Sequence, residues 1–389
     1  MSRFIPLSVP NLKGKELEYV TKVVETEWVS TGGGYINEFE KNIARYLKVE
    51  RAVACQSGTA GLHLALKLSG IEYGDEVIVP TLTFIAAVNP VRYLGAEPIF
   101  MDCDDTLNMD LDKLEEFCIE KCSLTKEGLI NKKTGKTIKA LVIVHIFGNM
   151  ANVERLIDIA EKYKLKVVED STEALGTYST EGRYKGKFAG TIGDFGVYSF
   201  NGNKIITTGG GGILVSKSSE LSDKAKYLST QAKDDELYYI HDEIGFNYRM
   251  TNLQAALGVA QLEQLEDFIK IKIENYNLYK QEIDKIQGLS VLDFNKNTRA
   301  NHWFYSLLID KENYGISRDD LLMKLNENNI QTRPIWGLVH EQKPYRHNQS
   351  HRIEKAKYYI ERIINIPCST SLTKENAKYV CDILRELQR

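Results

Sequence analysis

No apolar run in this chain approaches the roughly 18 residues that a membrane span requires, so a membrane role is not expected. The opening segment, MSRFIPLSVPNLKGKELEYV, lacks the apolar centre of a secretory signal and mixes charges with prolines, which places the protein in the cytoplasm. The six cysteines, Cys55, Cys103, Cys118, Cys122, Cys368 and Cys381, include no CxxC pair and fit that compartment. Cys118 and Cys122, at helical spacing, read as one buried helix face rather than a metal site. His347 and His351 are also four apart, but HNQSH is polar, turn-like and without a carboxylate partner, so no metal is expected there. A net charge of only -3 gives no electrostatic reason for nucleic-acid binding, and any phosphate-bearing ligand must be held by local groups. Internal repeats and low-complexity tracts are missing too, which argues against a solenoid or a disordered chain.

What is present is ordinary globular usage, 43% hydrophobic and 26% charged residues, in a chain of 389 that is too long for one core. From about residue 50 to 215, short apolar runs alternate with amphipathic stretches: AVAC, GTAGLHLALKL, EVIVP, AAVNPVRYL, EPIFMD, ALVIVHIF, VERLIDIAEKY and KVVED. Strands that are apolar throughout are covered on both faces, so the rhythm predicts an α/β sandwich around a mostly parallel sheet, with ligands at the strand ends. SLTKEGLINKKTGKTIKA, residues 123 to 140, reads as a surface hairpin inserted before a core strand, with no catalytic part. Beyond residue 251 the period becomes helical through TNLQAALGVAQLEQLEDFIKIKIENYNLYKQEIDKI and then mixed. The expected organisation is a large domain over 1–250, then a bridging helix and a small α+β domain over 251–389.

Several segments can carry chemistry. In CQSGTAGLHLAL a strand ends in a small polar turn that opens an apolar helix, so free N–H groups and the Ser57 and Thr59 hydroxyls could meet an anion; the same turn can be a simple helix cap. Phe84 follows a strand at the ligand edge and can stack on a flat ligand, but taken singly it reads as core. Asp170 closes KVVED and points into the crevice, whereas Glu169 beside it faces the other way. The carboxylate of Asp170 can pair with a protonated ring nitrogen or cap the STEALG turn. Lys204 lies in GDFGVYSFNGNKIITTGGGGILVS, in a polar glycine-bearing turn between two apolar strands. A lysine there can be desolvated into a Schiff-base amine, or be a solvated hairpin residue. Ser199, five residues earlier, can hydrogen-bond a phosphate. GFNYRMTN reads as a turn capping a helix at Thr251 or Asn252.

Taken in order, VSTGGGYINEFEKNIARYL, SGTAGLHLAL, PTLTFIAAVNPVRYLGAEPIFMD, HIFGN, VEDSTEALG, GDFGVYSFNGNKIITTGGGG, GFNYRMTNLQAA and NNIQTRPIW resemble the sugar aminotransferases of the DegT/DnrJ/EryC1/StrS family, within fold type I of the pyridoxal 5'-phosphate (PLP) enzymes. SFNGNKIITT, STQAKDD and TRPIW resemble the branch that aminates C4 of nucleotide-linked sugars on bacillosamine and legionaminic acid routes. The resemblance implies the aspartate aminotransferase-like fold, a PLP cofactor that passes through the pyridoxamine form, and Lys204 as the lysine of the internal aldimine. It implies Asp170 at the pyridine nitrogen and Phe84 stacked on the ring. Ser57, Gly58, Thr59, Ala60 and Ser199 would hold the phosphate, and Asn247 would reach the phosphate of the neighbouring subunit's cofactor in a homodimer with shared sites. Glu173 would contact cofactor or substrate, although many relatives carry His or Gln there. Relatives also often carry an acidic residue where Gly210 stands. Substrate diphosphate would meet Lys233, Arg249 or Arg333, and the sugar the Thr31 turn, Trp336 or His340. The implied reaction takes nitrogen from glutamate to a UDP- or GDP-linked 4-keto-6-deoxy sugar such as a 2-acetamido-2,6-dideoxy-hexos-4-ulose. The alternatives are a 3-aminotransferase, a PLP-dependent dehydratase, in which histidine replaces the lysine, and a non-catalytic PLP-binding regulator, which would carry a DNA-binding extension.

Overall fold

The computed structural model describes residues 4–235 and 237–389. The apolar runs form a ten-stranded mixed sheet whose main path of eight strands is ordered Ala52–Cys55, Gly212–Ser216, Phe195–Ser199, Lys166–Asp170, Thr137–Val144, Glu76–Pro80, Glu97–Met101 and Ser350–His351, with two short strands joined to its side. From Phe195–Ser199 to the far edge every neighbour along this path is parallel, while Gly212–Ser216 runs antiparallel to both of its partners. AVAC and EVIVP are buried at every position, as strands covered on both faces must be. The covering helices include Gly58–Leu68, capped by Ser57, and Val153–Tyr163, capped by Asn152.

Three local expectations change. The inserted hairpin is a small meander, Cys122–Leu124 and Leu129–Asn131, pairing onto the start of the Thr137–Val144 core strand. It is not wholly superficial, because Asn131 is buried and its Nδ2 donates to Glu76 Oε2 at 2.9 Å. Cys118 and Cys122 are both buried, but the helix ends at Lys121 and Cys122 opens the next strand, so they do not share a helix face. The long helical stretch after residue 251 is two helices, Asn252–Leu262 and Leu265–Ile283. No glycine or proline announces the break. The Gln264 side chain there donates to Glu16 Oε1 and to Ala260 O, which ties the junction to the N-terminal segment. Thr251, rather than Asn252, is the cap, in a capping box with Gln254.

A second, antiparallel sheet joins Leu289–Val291, Tyr305–Ile309, Ile363–Ile366 and Arg333–Pro334. Between its last two members in sequence the chain returns to the large sheet. Val339 N–H donates to Thr81 O at 2.9 Å, and Ser350–His351 pairs with Glu97–Met101. That excursion brings Trp336 over the strand ends. Among the described residues, no helix is long and apolar enough to cross a membrane.

Candidate active site

A cavity of about 350 Å³ opens at the carboxyl ends of the parallel strands. Ser57, Gly58, Thr59, Phe84, Asp170, Glu173, Ser199, Lys204 and Trp336 line it, so most of the residues singled out in the sequence converge on one place. The convergence follows from strand register. Gly212 pairs with Cys55 on one side and Ser199 on the other, which sets the Ser57 turn beside the Ser199 strand end. A side chain at Gly212 would come within 2.6 Å of the Ser57 backbone, so the last glycine of the run is required for this close approach.

At the helix start Ser57 Oγ accepts the Ala60 N–H at 3.1 Å. Ala60 N–H is therefore engaged within the cap, and Ala60 is not among the residues that line the cavity. Gly58 and Thr59 do line it, at the helix N-terminus, where first-turn N–H groups have no intrahelical partner and attract anions.

Asp170 is 4% exposed, and its Oδ1 accepts the Thr172 N–H at 3.1 Å. Burial pushes its carboxyl above the ordinary range, against the pull of the Thr172 hydrogen bonds and the charge of Lys204. Glu169 points away, as strand alternation demands, and accepts from His145 Nε2 at 2.9 Å and from the N–H groups of Gly190, Ile192 and Gly193. Glu173 accepts the Phe147 N–H at 2.7 Å, and its other oxygen lies 3.8 Å from Lys204 Nζ. Burial pushes the Glu173 carboxyl up to about 7, opposed by Lys204. Lys204 itself is held by its N–H donating to Asn201 O at 3.0 Å. Desolvation lowers its ammonium below the usual lysine range, and Glu173 and Asp170 oppose that fall.

Phe84 is 54% exposed on the cavity wall, with Trp336 at 6.4 Å between ring centroids, so its reading as a core residue does not hold. Thr172, Asn201, Asn203 and Trp303 also line the cavity and were not singled out in the sequence. Adjacency to Asp170 and Lys204 was an available signal for the first three; Trp303 had none.

The remaining candidates lie elsewhere in the chain. Thr31 and Arg249 line a second cavity with Lys226 and Thr230, and the buried Nε of Arg249 has no hydrogen-bond partner among the described residues. Asn247 Oδ1 accepts from Arg249 at 3.3 Å. Arg333 is exposed in its two-residue strand. His340 Nδ1 is 2.6 Å from Thr81 Oγ1, and neither residue lines the cavity. Lys233 Nζ sits 5.1 Å from the Tyr239 ring.

The cavity residues fit a phosphorylated pyridine aldehyde. Asp170 is a buried carboxylate aimed at a site where a cationic ring nitrogen would satisfy it, and the Ser57–Thr59 turn with Ser199 offers an anion cradle. Lys204 supplies an amine whose burial favours the unprotonated form.

The family profile described as DegT/DnrJ/EryC1/StrS aminotransferase matches residues 10–385. The chain is 39% identical over 386 residues to GDP-perosamine synthase of Escherichia coli O157:H7, covering 99% of this chain and 98% of that protein. It is 28% identical over 396 residues to UDP-4-amino-4-deoxy-L-arabinose--oxoglutarate aminotransferase of Shewanella sediminis, covering 98% and 93%. Among solved structures it resembles a DegT DnrJ EryC1 StrS aminotransferase from Brucella abortus, with a TM-score of 0.86, 27% identity and coverage of 96% and 95%. The chain belongs to the DegT/DnrJ/EryC1/StrS aminotransferase family and is a PLP-dependent nucleotide-sugar aminotransferase.

Proposed function

We propose that the protein transfers an amino group from glutamate to C4 of a 4-keto-6-deoxy sugar carried on GDP or UDP, with Lys204 as the essential lysine. The observation that carries the reading is the placement of Lys204 Nζ, 3.8 Å from Glu173, in one cavity with Asp170 and the Ser57 helix start. When bound, PLP supplies an electron sink and carries the nitrogen from donor to acceptor. Asp170 keeps the ring nitrogen protonated, Ser57, Gly58, Thr59 and Ser199 hold the phosphate, and Phe84 covers the ring. Lys204 Nζ takes up and returns the proton at the reacting carbon, the task for which a lowered ammonium suits it.

Position C4 is supported by the names of the relatives, one a synthase of a 4-amino sugar on GDP and one an aminotransferase forming a 4-amino-4-deoxy sugar on UDP. Glutamate is supported by the pairing of the second with oxoglutarate. A bacillosamine- or legionaminate-type 2-acetamido sugar remains the proposed acceptor on the resemblance of SFNGNKIITT and TRPIW. Thr31, Arg249 and Asn247, together with the exposed Leu237, Tyr238, Tyr239 and Ile244, support a homodimer in which a second copy covers this loop and completes the site. Arg333, His340 and Trp336 would meet the substrate from the C-terminal side.

The test is a panel of UDP- and GDP-linked 4-keto-6-deoxy sugars incubated with glutamate, with product stereochemistry and nitrogen content read by NMR and mass. Nitrogen at C4 is the expected outcome. A product without incorporated nitrogen would identify a dehydratase, and full activity in Lys204→Ala would remove the lysine from its role.

A further inference from the structure

Lys204 faces an aromatic ring as well as carboxylates. Its Nζ lies 4.2 Å from the centroid of the Trp303 ring. Trp303 is 2% exposed and is fixed from several directions. Its N–H donates to Phe147 O and Asn301 Oδ1, and its carbonyl accepts from Lys272 Nζ at 2.9 Å. The indole Nε1–H donates at 2.8 Å to the carbonyl of Asn203, the residue before Lys204, and the ring stacks on Phe304 at 4.1 Å and 7°. The ring and the lysine backbone are thus tied to each other.

An indole face attracts an ammonium through its quadrupole, more strongly than a phenyl face does, and it accepts no conventional hydrogen bond in doing so. Among the described residues none accepts a hydrogen bond from Lys204 Nζ. One Glu173 oxygen is taken by Phe147 N–H and the other stands at 3.8 Å. A lysine that must leave the cofactor and return in each half-reaction needs a resting place that is attractive but not binding.

We propose that Trp303 is a positioning residue for the reaction, its indole face holding the Lys204 ammonium whenever that amine is not bonded to the cofactor. The proposal rests on the reading of Lys204 as the essential lysine. Asp170 and Glu173 are the charged groups that face the amine, and both remain in every variant below.

The experiment follows acetylation of Lys204 by acetic anhydride, mapped by peptide mass, as a function of pH in the full-length protein freed of cofactor. Only the neutral amine reacts, so the midpoint reports how well the ammonium is held. Trp303→Leu is expected to lower the midpoint by about one pH unit and Trp303→Phe by less, in that order. Equal midpoints in all three proteins, or a Phe variant below the Leu variant, overturn the proposal. If Trp303→Leu does not fold, Trp303→Phe alone decides, since an unchanged midpoint overturns it. A ring that serves packing only would lower the melting temperature and leave the midpoint in place. Loss of activity in Lys204→Ala with an unmoved midpoint in the Trp303 variants would leave the functional reading standing and remove only this inference.

Discussion

Lys204 and Lys272 are both lysines taken out of water, and burial lowers the ammonium of each, yet their surroundings differ in kind. Lys272, on the Leu265–Ile283 helix, donates to two backbone carbonyls, Trp303 O at 2.9 Å and Cys368 O at 2.6 Å. Lys204 has two buried carboxylates and an indole near it, but its Nζ makes no hydrogen bond among the described residues. A buried donor with its acceptors in place fastens backbone segments together. One with charges nearby and no short bond is free to enter and leave a covalent link. A lowered ammonium alone therefore does not mark a reactive lysine; the lack, among the described residues, of a protein acceptor within hydrogen-bond distance of its Nζ does.

The largest test of that contrast is activity. Lys204→Met is expected to reduce turnover at least about 1000-fold and to abolish the visible absorbance of bound cofactor, whereas Lys272→Met changes turnover by less than about tenfold. Similar losses in both variants would end the distinction. Next in size is the pH dependence of Glu173. Its carboxyl, pushed up to about 7 from an ordinary value of 4.5, holds a proton that the unfolded chain has already released. Its contribution is complete below about pH 4.5 and is lost as pH rises through about 7, a change of roughly 3 kcal/mol in the cofactor-free protein. Glu173→Gln should lack that slope, so the difference between variant and parent in urea titrations at successive pH values should carry it. Lys204→Met should move the window upward, because Lys204 is the charge that holds Glu173 down. Lys272→Met should not move it.

The two lysines were unequally legible in the sequence, and the reason is physical. Lys204, Asp170, Ser199 and Ser57 are each at a strand end or in the turn beyond it, and a mostly parallel sheet gathers its carboxyl ends at one edge, so order along the chain translates into proximity. Trp303 comes from just before a strand of the other sheet, and its place over Lys204 depends on the Asn301 contacts to Glu173 O and Leu175 O, which no local pattern encodes. Phe84 was placed at the site by the family resemblance and not by local pattern, for a different reason: a phenylalanine after an apolar strand looks the same whether the ring enters the core or a cavity. The break between Leu262 and Leu265 carries no glycine or proline because it is imposed by tertiary bonds from Gln264. Lys272 was invisible altogether, since a lysine in an amphipathic helix ordinarily reaches solvent.

The smallest effect tests what Lys272 does instead of chemistry. Methionine at 272 conserves most of the volume and removes the cost of burying an ammonium, which favours the variant. Against this, Trp303 O and Cys368 O lose their donor in a place water does not reach, each at about 1 kcal/mol or more. The orphaned carbonyls are expected to outweigh the relief, because two buried acceptors lose their donor at once. The expected result is a loss of about 2 kcal/mol, read as a lower urea midpoint at unchanged slope. Lys204→Met, which leaves no carbonyl without a donor, should fall by less. If Lys272→Met were as stable as the parent and Lys204→Met were not, the hydrogen bonds drawn from Lys272 would not be what fastens Trp303 in place.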